Sequence, residues 1–335
     1  MSALPAPLAI SLGDPAGIGP EVILGAWARL RSENRAPPAF VVGGPSVLGS
    51  VAEMLGIGFP LVPIAEPDEA LFASAAGLPV MAGLDAAWTP GAATRDGARL
   101  ALASLQWATR FTLSGITSGL VTAPVAKSAL AAIGWDYPGQ TEFLADACGQ
   151  PYRDAVMMLA GPSLRTVPLT VHLALAEVPA ALTSELIMHK ARIVAAGLAR
   201  DCGIAAPRLA IAALNPHAGE GGKFGDEETR IIAPAIAALR AEGIDAFGPV
   251  PGDALFTPRM RATYDVALAM YHDQALIPIK ALEVDEGVNV TLGLPIIRTS
   301  PDHGTGFDIA GKGLADPGAM AAAIVMAAEM AAARG

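Results

Sequence analysis

Leu8-Ala9-Ile10-Ser11-Leu12, followed at once by Gly13-Asp14-Pro15-Ala16-Gly17-Ile18-Gly19-Pro20, decides how the chain is read. An uncharged apolar run closed by a turn of Gly and Pro makes a short buried strand. Pro20 has the φ of a helix's first turn and no amide hydrogen to lose there, so a helix follows, running toward Arg31. Strand, turn and helix in that order are a βα unit. The alternation recurs, with strands expected at 40–43, 119–122, 155–160, 209–214, 266–270 and 288–292. Long helices are expected at 95–110, 184–200, 227–241 and 318–333. The fold class is therefore α/β with a mostly parallel central sheet.

Composition narrows the function classes. The chain has 335 residues, of which 32 are acidic and 22 basic, a net charge of −10. That charge repels phosphate backbones, and no Lys/Arg cluster offsets it, so nucleic acid is discounted as a partner. Hydrophobic residues make up 53% and charged ones 16%, against about 25% charged in an average domain, enough for a large core. The length allows two domains. The 36 glycines and 28 prolines point to many turns rather than low complexity. Mean hydropathy is +0.46, but it comes from scattered alanines. No stretch supplies the roughly 18 uncharged apolar residues of a membrane span, and the run 318–328 stops at Glu329. No secretory signal opens the chain. Cys148 and Cys202 are too few for a disulfide framework, so a reducing cytoplasm is the expected home.

No linker or repeat marks a domain boundary. Most polar loops fall between 134 and 300, which places a metal, substrate and dimerisation domain there. A discontinuous scaffold and nucleotide-side domain is expected from 1–133 plus 301–335, the C-terminal helix returning to the N-terminal half.

The chain has five histidines. His172 follows the apolar strand pattern Val167-Pro168-Leu169-Thr170-Val171; His217 lies in Asn215-Pro216-His217-Ala218-Gly219-Glu220; His272 lies in Tyr271-His272-Asp273-Gln274. All three follow strands, and in open α/β sheets ligands bind beyond the carboxyl ends of the strands. One such histidine is explained as well by local hydrogen bonding. Three together point to a divalent cation with one position left open for substrate. His189, inside a predicted helix beside Lys190, reads as a surface residue. Gly219-Glu220-Gly221-Gly222-Lys223-Phe224-Gly225 lacks the spacing of a P-loop and reads as a mobile loop beside His217. Asp226-Glu227-Glu228 suits the start of a helix dipole and needs no further role.

Four words are more specific than spacing. Ser11 to Glu21, Thr122-Ala123-Pro124-Val125-Ala126-Lys127, Leu214 to Glu220 and Tyr271-His272-Asp273-Gln274 resemble the PdxA family of pyridoxal phosphate biosynthesis, the 4-hydroxythreonine-4-phosphate dehydrogenases, essentially end to end. A second stretch, from Asp302-His303-Gly304-Thr305-Gly306 through Asp308 to Gly313, resembles the nucleotide-binding loop of the isocitrate and isopropylmalate dehydrogenases. The resemblance implies their two-domain α/β/α sandwich and a homodimer whose active site lies at the subunit interface. It makes His172, His217 and His272 ligands of a divalent cation (zinc, magnesium or cobalt) and gives substrate binding to Gln140, Thr141, Lys280, Asn289 and Arg298. His303, Gly304 and Asp308 fall to NAD or NADP. Asp253 and Asp273 are candidates for orienting a ligand or moving a proton, and Lys280 for the base if buried.

The reaction implied is metal-dependent, NAD(P)-linked oxidation of 4-phosphohydroxy-L-threonine to 2-amino-3-oxo-4-phosphooxybutanoate. Decarboxylation then gives 3-amino-2-oxopropyl phosphate. The chain departs from the family's usual Gly-His-Thr-Glu in having Gly139-Gln140-Thr141-Glu142, a neutral amide where an imidazole can carry charge. The departure keeps open a related dehydrogenase for 4-phosphoerythronate or an aromatic dihydrodiol carboxylate. A non-enzymatic anion-binding module would need Arg298 and Lys280 but neither the three histidines nor the 302–313 loop.

Overall fold

The computed structural model describes residues 6–335, and its first strand is the one that opens the sequence. The strands are β1 Leu8–Ser11, β2 Ala39–Val42, β3 Leu61–Ile64, β4 Leu78–Met81, β5 Gly119–Thr122, β6 Val156–Ala160, β7 Arg165–Pro168, β8 Leu209–Ala212, β9 Ala246–Val250, β10 Val266–Ala269, β11 Val288–Leu292 and β12 Arg298–Pro301. The described residues form two units, one up to residue 152 together with 294–333, the other 153–293. The boundaries expected at 133/134 and 300/301 lie elsewhere for two physical reasons. Trp135 and Phe143 pack with Ala101, Leu105 and Leu130 of the first unit, and β12 pairs with β5.

In the first unit the strand order is β3-β4-β2-β1-β5-β12, every pair parallel. Leu8 stands opposite Ala39 on one side and Gly119 on the other, so β1 is central and buried throughout. Ser104, fully buried on the helix Arg95–Leu113, accepts the Leu12 amide at 2.9 Å and donates to the Val42 carbonyl at 2.6 Å. One hydroxyl thus satisfies two strand-end groups that would otherwise be orphaned. The C-terminal helix Gly318–Arg334 receives the Thr299 hydroxyl at Ala323 O, 2.8 Å.

The opening turn braces two other segments. Asp14 N donates to Pro124 O at 2.8 Å, and Ile18 N to Thr305 O at 2.8 Å. Burial pushes the Asp14 carboxyl above its ordinary pKa, against the backbone amides of Ala16 and Ala126. A Cβ on Gly17 would lie 2.5 Å from Thr305 O. Gly17→Ala is therefore expected to cost about 1–3 kcal/mol by overpacking, read as a lower urea midpoint. Gly49→Ala is the control: it lies inside the helix Pro45–Leu55 with nothing within 4 Å of the new methyl, and leaves the midpoint unchanged or higher.

In the second unit the order is β11-β6-β7-β10-β8-β9. The β11–β6 and β6–β7 pairs are antiparallel, and the β7–β10, β10–β8 and β8–β9 pairs parallel. The helix expected at 227–241 is instead a π turn, Glu228–Ile232, leading into the α-helix Ala233–Ala241. Among the described residues no helix is long and apolar enough to cross a membrane.

Candidate active site

Because β7 and β10 are adjacent and parallel, with Ala269 opposite Pro168, the chain leaves both in the same direction. Thr170 Oγ1 donates to Met270 O at 2.8 Å, tying the two exits together. The imidazoles of His172 and His272 follow with ring centroids 6.0 Å apart. Both line a cavity of 260 Å³, with Thr170, Val178 and Tyr271 among its other walls. His272 opens the helix His272–Glu283, and its Nδ1 lies 2.7 Å from Asp273 Oδ1. A carboxylate there holds the proton on Nδ1 and leaves Nε2 as a lone-pair donor. Beneath β7, Lys190 Nζ donates to Pro168 O at 3.3 Å, and burial pulls this lysine down to about 8.

The exit of β8 is stitched to the same region. Gln274 Oε1 accepts the Met270 amide at 2.7 Å while its Nε2 donates to Ala213 O at 2.8 Å. Beyond Ala213 the chain enters a left-handed run. His217, Ala218, Gly219, Glu220 and Gly221 all have positive φ, from 43° to 76°. His172 shares that conformation at φ 53°. Left-handed backbone costs an L-residue roughly 1–2 kcal/mol and persists where its surroundings impose it. The His217 ring packs on Phe224, centroids 6.4 Å apart. Among the described residues no three of His, Cys, Asp and Glu gather closely enough to enclose an ion.

The other expected residues of this unit are distributed as follows. Asp253 is exposed on the short helix Gly252–Leu255. Lys280 is exposed near the end of its helix, so the burial on which its role as base was conditional is missing. Asn289, on β11, keeps its Oδ1 buried without a hydrogen-bond donor. His189 is partly exposed, its Nε2 2.8 Å from Asp154 Oδ1.

The first unit supplies the remaining residues. Arg298, on β12, is 4% exposed and donates through Nε and Nη2 to Thr122 Oγ1 at 3.2 and 2.9 Å. Burial lowers it to about 10, partly countered by the Glu142 carboxylate, and it stays charged at neutral pH. Gln140 and Thr141 open the helix Gln140–Ala147. Gln140 Nε2 donates to Ala123 O at 3.1 Å, while its Oε1 is buried without a donor. In the 302–313 loop, His303 Nδ1 lies 3.0 Å from Gly304 O, and its Nε2 is buried without a partner. Gly304 is exposed, and a Cβ there would meet nothing within 4 Å. Asp308 is exposed, its carbonyl accepting Lys312 Nζ at 2.6 Å. Glu21, buried at 4% exposure, accepts the amides of Gly311 at 2.5 Å and Gly313 at 3.2 Å.

The family pattern described as "Pyridoxal phosphate biosynthetic protein PdxA" matches residues 35–327. The chain belongs to the PdxA family. A PdxA relative, the 4-hydroxythreonine-4-phosphate dehydrogenase of Erythrobacter litoralis, is 62% identical over 98% of this chain and 97% of its own. The solved structure of the enzyme of that name from Klebsiella pneumoniae is 38% identical, covers 99% of each chain and has a TM-score of 0.86. A terephthalate 1,2-cis-dihydrodioldehydrogenase from Burkholderia xenovorans is 31% identical over 94% of this chain and 95% of its own, with a TM-score of 0.64. The PdxA words quoted from the sequence are thus largely braces. Glu21 grips the 302–313 loop, Thr122 takes the Arg298 guanidinium, and the Leu214–Glu220 word begins in a carboxylate clamp from Glu228. None of these roles was read from sequence, because each is a contact between segments.

Proposed function

We propose that this chain oxidises 4-phosphohydroxy-L-threonine at its C3 hydroxyl, with NAD or NADP as hydride acceptor, in pyridoxal 5'-phosphate biosynthesis. The observation that carries the reading is the 62% identity, over nearly the whole of both chains, to a relative bearing that enzyme's name. NAD or NADP would take the hydride from C3 as the hydroxyl gives up its proton, yielding a 3-oxo acid. Its carboxylate leaves as carbon dioxide, C2 takes up a proton in its place, and the product is 3-amino-2-oxopropyl phosphate.

Three imidazoles, those of His172, His217 and His272, have the donor chemistry a divalent cation takes, and the first and last of them face one cavity. Two imidazoles on one ion at ~2.1 Å hold their centroids roughly 5–6 Å apart, and His172 and His272 stand at 6.0 Å. Zinc, cobalt and magnesium are the candidates, and the cation supplies Lewis acidity toward the substrate hydroxyl. Asp273 fixes the His272 tautomer at Nδ1. Arg298 binds an anionic group of the substrate, assisted by Lys280, while Thr141 and Asn289 hydrogen-bond its hydroxyl and amino groups. The orphaned oxygens of Gln140 and Asn289 ask for donors, and the substrate's ammonium and hydroxyl are donors. His303, Gly304 and Asp308 face the nucleotide. Leu173 and Leu175, 45% and 67% exposed beside His172, are apolar surface that a second copy would cover in a cytoplasmic homodimer with its active sites at the interface.

A second reading is favoured by Gln140 and by the dihydrodiol dehydrogenase neighbour: the same chemistry on another hydroxy acid. One assay separates them. Metal-replete protein is followed at the reduced-nicotinamide absorbance with 4-phosphohydroxy-L-threonine, 4-phospho-D-erythronate and a terephthalate cis-dihydrodiol. The expected result is a kcat/KM at least tenfold higher for the phosphothreonine. Preference for either other acid installs the second reading, and inactivity with all three removes both.

A further inference from the structure

We infer that Glu228 is the positioning residue that sets His217 for its ligand. Glu228 is 5% exposed, and its carboxylate closes on the segment just ahead of the histidine. Oε1 accepts the amides of Leu214 at 2.9 Å and Asn215 at 2.7 Å, and Oε2 accepts Asn215 Nδ2 at 3.0 Å. Glu227 takes the same side-chain amide at 2.7 Å, so Asn215 is held from both carboxylates.

Two further observations show why a clamp is needed there. From His217 to Gly221 the backbone is left-handed without a break, and three of those five residues have side chains. Left-handed backbone on His217, Ala218 and Glu220 is strained and persists only where its surroundings impose it. Glu228 fixes the entering end, two residues before His217, and its Oε2 also limits the middle. A Cβ on Gly219 would come within 2.8 Å of that oxygen. Glu228 itself begins the π turn Glu228–Ile232, a local insertion of the kind found at functional sites. An exposed acidic residue at a helix start would need none of this.

The inference rests on the reading of His217 as a metal ligand, and its test separates the two. Metal-stripped protein is titrated with Co2+, following the visible absorption of the bound ion. Wild type, Glu228→Gln and His217→Ala are compared, with circular dichroism to verify folding. Glutamine keeps the size of the side chain but must turn either an oxygen away from the Leu214 and Asn215 amides or an NH2 toward the Asn215 amide. The dissociation constant for Co2+ is expected to rise about 10–100-fold in Glu228→Gln. Saturating Co2+ restores the absorption band and kcat in that variant and not in His217→Ala. Gly219→Ala keeps Glu228 but presses a methyl against its Oε2, and is expected to weaken Co2+ binding in the same direction, keeping the test open should Glu228→Gln not fold. Co2+ binding within twofold of wild type in a folded Glu228→Gln, with binding lost in His217→Ala, overturns the clamp and leaves the ligand reading standing. Wild-type binding in His217→Ala overturns both.

Discussion

Arg298→Met is expected to lower kcat/KM for the phosphorylated substrate by about 10³-fold, since truncating one partner of a buried hydrogen-bonded charge pair costs roughly 2–5 kcal/mol. The loss should fall mostly on KM. The guanidinium is carried on β12, where strand geometry fixes it, and Thr122 accepts two of its N–H groups. A residue so placed is charged and buried before substrate arrives. The pKa states the same fact: burial holds Arg298 down to about 10. A base whose folded value lies below its unfolded one costs stability at every pH below about 10, and the cost is relieved only as pH rises toward the ordinary value. Arg298→Met without substrate should therefore unfold at the wild-type temperature or slightly above it. It should lose the upward shift that substrate gives the wild type. Arg298→Lys keeps the charge without the fork and should recover only part of the affinity. A melting point well below wild type together with an unchanged KM would make Arg298 a structural residue.

That pairing of strain and use also explains what the sequence makes legible. β1, β5, β8 and β10 are short runs without charge or proline, and they read directly as strands. β3, β4, β9 and β12 contain Pro63, Pro79, Pro249 and Pro301, and proline removes a ladder donor, so their patterns do not read as strands, whereas β7, which ends on Pro168, is legible from the apolar residues that continue past it. β3 and β9 lie at the ends of their units' strand orders, where the missing donor costs least. The helix His272–Glu283 is hidden in the same way by Pro278. Among the site residues, histidines at strand ends are visible because the strand pattern points to them. The clamps are not. Glu21 acts on amides 290 and 292 residues away, and Thr122 on a guanidinium 176 residues away. Glu228 works at shorter range, but only a π turn brings it onto Asn215, and an acidic triplet before a predicted helix gives no sign of one.

His272→Ala should be more damaging than the loss of Arg298. If His172, His217 and His272 hold a cation that lowers the barrier by several kcal/mol, as proposed, removing one imidazole is expected to reduce kcat by at least ~10³-fold. The loss should appear in kcat with saturating substrate, and added Zn2+ or Co2+ should not repair it. Asp273→Asn gives the graded case. The amide can still meet His272 Nδ1 across the 2.7 Å contact, but as a neutral acceptor or, turned over, as a donor that forces the proton onto Nε2. A loss of about 10–100-fold in metal affinity is expected, repaired by excess metal. The two variants should also differ under chelation. Dipicolinate should inactivate wild type reversibly and Asp273→Asn at lower concentration, while His272→Ala has no activity to lose. Full activity of wild type after exhaustive chelation, verified metal-free by elemental analysis, would leave the histidines with a polar role only. The 6.0 Å pairing of His172 and His272 at the wall of one 260 Å³ cavity argues against that outcome, because it presents two imidazoles to a single ligand.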